Sequence, residues 1–78
     1  MAERVLLLND IDSVRSFVSE AMMQPFDIEL KSGRYTVDAK SIMGVFSLDL
    51  TKPVVVAADC DESSPFMAVC DRYSDNKK

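Results

Sequence analysis

The apolar residues of this chain come in short groups whose spacing changes along the sequence. Arg4 to Leu8 reads RVLLL, a continuous apolar run that suits a short buried strand. The next apolar positions, Val14, Phe17, Val18, Ala21 and Met22, recur at the three- and four-residue steps that line one face of a helix. Asn9, Asp10 and Asp12 are candidate N-caps for it, and Pro25 bounds its far end. Phe26, Ile28 and Leu30 alternate with Asp27, Glu29 and Lys31, which predicts a strand with one dry face and one wet face. In KSGR, Gly33 supplies the positive φ of a tight turn, and YTVDA returns as the second strand of a hairpin.

From Ser41 to Leu50 the apolar period becomes helical. PVVVAAD reads as a fourth strand, with Pro53 at its first position, where a missing N–H is tolerated. Ser64 and Pro65 open a last helix as N-cap and first residue, and Phe66, Val69, Cys70 and Tyr73 form its inner stripe. The order is β-α-β-β-α-β-α. An antiparallel sheet with one wet face takes its helices on the other, giving an α+β, two-layer open-faced sandwich. The expected core is Val5, Leu7, Val14, Phe17, Val18, Ala21, Ile28, Leu30, Val37, Val45, Leu48, Val54, Val56, Phe66 and Val69. The final SDNKK, residues 74–78, is expected to be a disordered tail.

Composition narrows the function. At 78 residues the chain suits a single domain spanning 1–78, and 47% hydrophobic with 28% charged residues suits a globular one. A net charge of −4 argues against nucleic acid or an anionic membrane as the main partner, because both need a basic surface. VLLL is too short for a secretory signal or a membrane span, which points to the cytoplasm. Cys60 and Cys70 lack metal-ligand or redox spacing, and the chain has no histidine to complete a zinc site. They read as reduced packing residues, and no metal or cofactor is expected.

The densest apolar stretch follows Ser41. As N-cap, its hydroxyl can accept from the N–H of Met43 or Gly44. Gly44 stands where a capping box has Glu or Gln, so no side-chain carboxylate competes there. Glycine inside a helix costs ~1 kcal/mol against alanine, which close packing on a neighbouring helix would explain. Val45 and Leu48 share one face and suit the core. Ile42, Met43 and Phe46 share another face, which two short turns cannot also bury well. Either the first helix covers that face, or it is an exposed apolar patch beside a phosphorylatable serine, as at protein-binding sites.

KSIMGV, after the strand end VDA and before SL, resembles HPr, the histidine-containing phosphocarrier of the bacterial sugar phosphotransferase system. The likeness is strongest from about Phe26 to Leu50. It implies the sheet order 1-4-2-3, with three helices on one face. It also implies a non-enzymatic protein with protein partners: a regulatory kinase, a transcriptional regulator or phosphotransferase components. In many bacteria the serine at the place of Ser41 is a regulatory phosphorylation site. By the same resemblance Lys40, Ile42, Met43 and Phe46 fall in the partner-docking region, with Phe46 where methionine is common. The protein would be a monomer or weak dimer. A phosphate adds about −1.5 to −2 charges, which a helix N-terminus favours.

The family's chemistry needs a histidine at the start of the first helix, in a His-Ala-Arg-Pro pattern. Here the corresponding region is NDID, with Asp10 and Asp12 near the histidine and arginine positions. No catalytic residue is therefore assigned. Both aspartates suit the start of a helix, where a carboxylate stabilises the dipole by roughly 0.3–1 kcal/mol. Three functions remain open. One is an HPr-like regulatory interaction module switched at Ser41. Another is a carrier with a non-histidine acceptor, such as an aspartyl phosphate supported by Mg²⁺. The last is an HPr-fold binding protein of unrelated role.

Overall fold

The computed structural model describes residues 1–74. Strands β1 (Ala2–Leu6), β2 (Ile28–Ser32), β3 (Tyr35–Asp38) and β4 (Val54–Ala58) form one sheet in the order β1-β4-β2-β3, every neighbouring pair antiparallel. Helices α1 (Ile11–Met22), α2 (Ile42–Phe46) and α3 (Pro65–Asp71) cover the face on which Ala2, Leu6, Ile28, Leu30, Val54, Val56 and Ala58 are buried. The register sets Glu3, Ala57, Glu29 and Asp38 in one row across the open face, and Val5, Val55, Lys31 and Thr36 in the next. This is the expected open-faced sandwich and the expected strand order.

Local chemistry starts and stops the elements. The Asp10 carboxylate accepts from the Ser13 N–H at 3.2 Å, which selects Asp10 among the candidate caps of α1. Gly33 turns the β2–β3 hairpin at φ +59°. The Ser64 hydroxyl accepts from the Phe66 N–H at 3.3 Å, with Pro65 in the first helical position. The helix expected over Ser41 to Leu50 is shorter than its pattern, ending at Phe46. Both the N–H and the hydroxyl of Ser47 donate to the Gly44 carbonyl, at 3.1 and 2.6 Å, tightening the last turn. Asp49 then accepts from both the N–H and the hydroxyl of Thr51, a local alternative to helix.

Val14, Phe17, Val18, Ala21, Ile28, Leu30, Val45, Leu48, Val54, Val56 and Phe66 are core residues, as their periodicity predicts. The first strand is out of phase with its expectation. Val5 is 47% exposed and Leu7 is half-buried, while Ala2, Leu6 and Leu8 are buried. An uninterrupted RVLLL carries no alternation, so the pleat cannot be phased from it, and a shift of one residue exchanges the two faces. Arg4 shares the helix-facing side with Ala2 and Leu6. At this sheet edge its guanidinium reaches Glu62 at 2.7 Å and Asp71 of α3 at 3.0 Å. Val37 and Val69 lie at the core margin, half-buried, and Met67 and Cys70 take the central places in α3. Phe17 ties the helices together, with its ring 5.9 Å from that of Phe66 and 5.7 Å from that of Tyr73. After α3, the Leu7 N–H donates to the Tyr73 carbonyl at 2.9 Å, and Ser74 bridges to Leu6. The remainder of the tail expected to be disordered lies outside the described residues.

Candidate protein-interaction site

Ser41 is exposed and caps α2. Its hydroxyl accepts from the Gly44 N–H at 3.2 Å, and its carbonyl accepts from the Val45 N–H at 3.0 Å. The approach is fixed by Asp38, whose carboxylate accepts from the Lys40 N–H at 2.9 Å and whose carbonyl accepts from the Ser41 N–H at 3.0 Å. Beyond the cap, Val45 points into the core and is fully buried. Ile42, Met43 and Phe46 remain 36%, 78% and 43% exposed, so α1 leaves this face open. The helix is five residues long, so its dipole is small. The chemistry available to a charged group on Ser41 is instead local hydrogen bonding to the Gly44 N–H.

Gly44 has no packing reason to lack a side chain. An added Cβ would meet Ser41 Oγ at 3.4 Å and the Val37 Cβ at 3.5 Å, both ordinary contact distances. Its expected close neighbour was a helix, but the nearest outside atom belongs to β3. Lys40 is half-buried, and its Nζ donates to the Gln24 carbonyl at 2.9 Å, tying the start of α2 to the segment just after α1. Sequence spacing gave no hint of this bond, which links residues far apart in the chain.

At the other end of α1, Asp10 is the helix cap and Asp12 lies in the first turn. Among the described residues, no group of three or more His, Cys, Asp or Glu side chains could hold a metal ion. Leu8, Ile11 and Leu50 join Phe46 around a shallow apolar depression beside Asp10. Local spacing does not reveal this grouping, because its members are distant in the chain; Ile11 between the two aspartates is its one local sign. Cys70 is buried, and desolvation pushes its thiol up to about 12, so it stays protonated as a packing residue. Among the described residues, no helix is long and apolar enough to cross a membrane.

The sheet order, the three helices on one face and the capped second helix together define the architecture of the HPr proteins. Solved structures share it, two HPr proteins among them. HPr-C-His from Thermoanaerobacter tengcongensis superposes with a TM-score of 0.77 at 23% sequence identity, covering 92% of this chain and 89% of that one. The phosphocarrier protein HPr from Bacillus anthracis str. Ames gives 0.75 at 21% identity, covering 94% of this chain and 95% of that one. The chain has the HPr fold. Neither a protein-family model nor a curated protein matches it.

Proposed function

We propose that this chain is a cytoplasmic regulatory interaction module on the HPr fold, docking proteins through Ile42, Met43 and Phe46 and switched by phosphorylation of Ser41. The observation that carries this reading is the outward apolar face of the helix that Ser41 caps. Met43 there stays in water and Ile42 and Phe46 partly so, next to an exposed hydroxyl, and a partner would bury them. A phosphate oxygen can accept from the Gly44 N–H as the hydroxyl does, so modification would leave the cap in place. Its charge would then stand at the edge of the docking face and change which partner fits. Partners on this reading are a regulatory kinase, a transcriptional regulator or phosphotransferase-system proteins, approached as a monomer or weak dimer. Lys40 would contribute through its anchored stem rather than as a free cation.

The absence of histidine speaks against the carrier role that one structural neighbour has by name. A carrier would need Asp10 or Asp12 as acceptor, and a carboxylate repels an incoming phosphoryl group. The regulatory reading is tested by comparing proteins captured by the unmodified chain, by the Ser41-phosphorylated chain and by Met43→Lys. The expected result is a partner that binds only one of the first two forms and is lost from that form on Met43→Lys. Identical capture by all three would overturn the reading.

A further inference from the structure

We propose that the open recess between the β2–β3 turn and the loop after α2 binds a small sugar phosphate, free or as the ribose phosphate of a nucleotide, with Arg34 and Lys52 taking the phosphate and Asp49 and Tyr35 the hydroxylated ring. Arg34 and Tyr35 line the recess from the hairpin, and Asp49 and Lys52 line it from the loop. Ile42, Met43 and Phe46 take no part in it, so it is separate from the outward face of α2. Its open volume is about 400 Å³. That is at the small end of the ~300–1,000 Å³ that small-molecule sites span, and it suits one metabolite.

Charge chooses the ligand. The chain is acidic, at −4, and most of its described cations are engaged. Arg4, Lys31 and Arg72 sit in ion pairs, and Lys40 is held by the Gln24 carbonyl. Among the described residues, the side chains of Arg15, Arg34 and Lys52 have no ion pair or hydrogen bond, and two of these three line the same recess. A guanidinium can take two phosphate oxygens at once, and an ammonium beside it adds a point charge. Asp49 sets what lies at the other end. Its carboxylate would repel a bare phosphate, so the rest of the ligand is neutral and donates hydrogen bonds. Both the N–H and the hydroxyl of Thr51 donate to its Oδ1, at 3.2 and 2.6 Å, which leaves Oδ2 to accept from ligand hydroxyls. Those bonds hold its pKa below the ordinary carboxylate value, so it stays an acceptor. A carboxylate that accepts from ribose hydroxyls is a recurrent device of nucleotide sites. Tyr35, 72% exposed, offers the flat apolar face against which a sugar ring or a base packs.

The test is amide NMR of the full chain titrated, to about 10 mM and at low salt, with inorganic phosphate, ribose, ribose 5-phosphate and adenosine 5′-monophosphate. Ribose 5-phosphate should shift the amides of Gly33, Arg34, Tyr35, Asp49 and Lys52, and should bind about tenfold more tightly than inorganic phosphate or ribose. Arg34→Ala and Lys52→Ala should each weaken it about fivefold, and Arg15→Ala should leave it unchanged. Asp49→Asn should tighten inorganic phosphate and weaken ribose 5-phosphate, closing the gap between them. Tighter binding of the nucleotide than of ribose 5-phosphate would assign the site to nucleotides, and equal binding would assign it to free sugar phosphates. No shift at these amides would overturn the proposal. So would equal affinity for inorganic phosphate and ribose 5-phosphate, which means an adventitious ion only, or a loss in Arg15→Ala equal to that in Arg34→Ala.

Discussion

Gly44 is the residue whose chemistry departs most from its structural needs. It lies within α2 at a position where a Cβ finds only ordinary contacts. Gly44→Ala should therefore stabilise the fold by about 0.5–1 kcal/mol, the usual helix preference for alanine, read as a higher denaturation midpoint in urea. A destabilised variant would show that the Val37 contact is tighter than 3.5 Å implies. Met43 makes the opposite case. Its side chain is in water, so Met43→Lys should change stability by less than about 0.5 kcal/mol; a loss of several kcal/mol would place it in the core. Both roles of Ser41, as cap and as neighbour of an exposed apolar face, were legible because they depend on residues a turn away. Lys40 was not legible in the same way. Its acceptor, the Gln24 carbonyl, comes into reach only when α1 and α2 pack.

At the scale of elements, legibility follows periodicity. The alternation of Ile28 and Leu30 with charged residues fixed which face of β2 is dry, and the spacing from Val14 to Ala21 did the same for α1. The continuous run in β1 offered no phase, and the structure sets it one residue from the expectation. Leu6→Ala should accordingly cost about 2–5 kcal/mol, as buried leucines do, while Val5→Thr on the open face should cost under about 0.5 kcal/mol. Equal costs in thermal or urea unfolding would contradict the observed phase. β1 is also held to α3 through Arg4. Its hydrogen bond lowers the Glu62 pKa, while the Glu62 and Asp71 hydrogen bonds raise that of Arg4. A carboxylate whose folded pKa is lowered stabilises the fold above its unfolded pKa, and that contribution is lost as pH falls through the folded value. Stability should thus decline on acidification below the ordinary carboxylate range, and Arg4→Met should remove part of that decline. The part that survives includes Asp49, whose pKa is lowered by its hydrogen bonds to Thr51. An Arg4→Met profile parallel to that of the parent protein would show that the clamp carries no pH dependence.

At the scale of the molecule, the sheet order β1-β4-β2-β3 could not come from spacing, because pairing between strands distant in sequence leaves no local trace. It followed from the resemblance carried by KSIMGV and its flanks, and the solved HPr structures share the arrangement. That fold places the start of α1 beside the end of α2, where Asp10, Ile11, Phe46 and Leu50 line one shallow apolar depression. The account separates regulation from phosphoryl transfer on a single chemical difference: Ser41 can hold a stable phosphate ester, whereas Asp10 or Asp12 could hold only a labile acyl phosphate. The decisive measurement is phosphosite mass spectrometry on protein isolated under mild conditions from its own cells grown on several carbon sources. The account predicts phosphate on Ser41 at an occupancy that changes with growth condition, and none on Asp10 or Asp12. Phosphate released by hydroxylamine from either aspartate, with Ser41 unmodified in every condition, would contradict it.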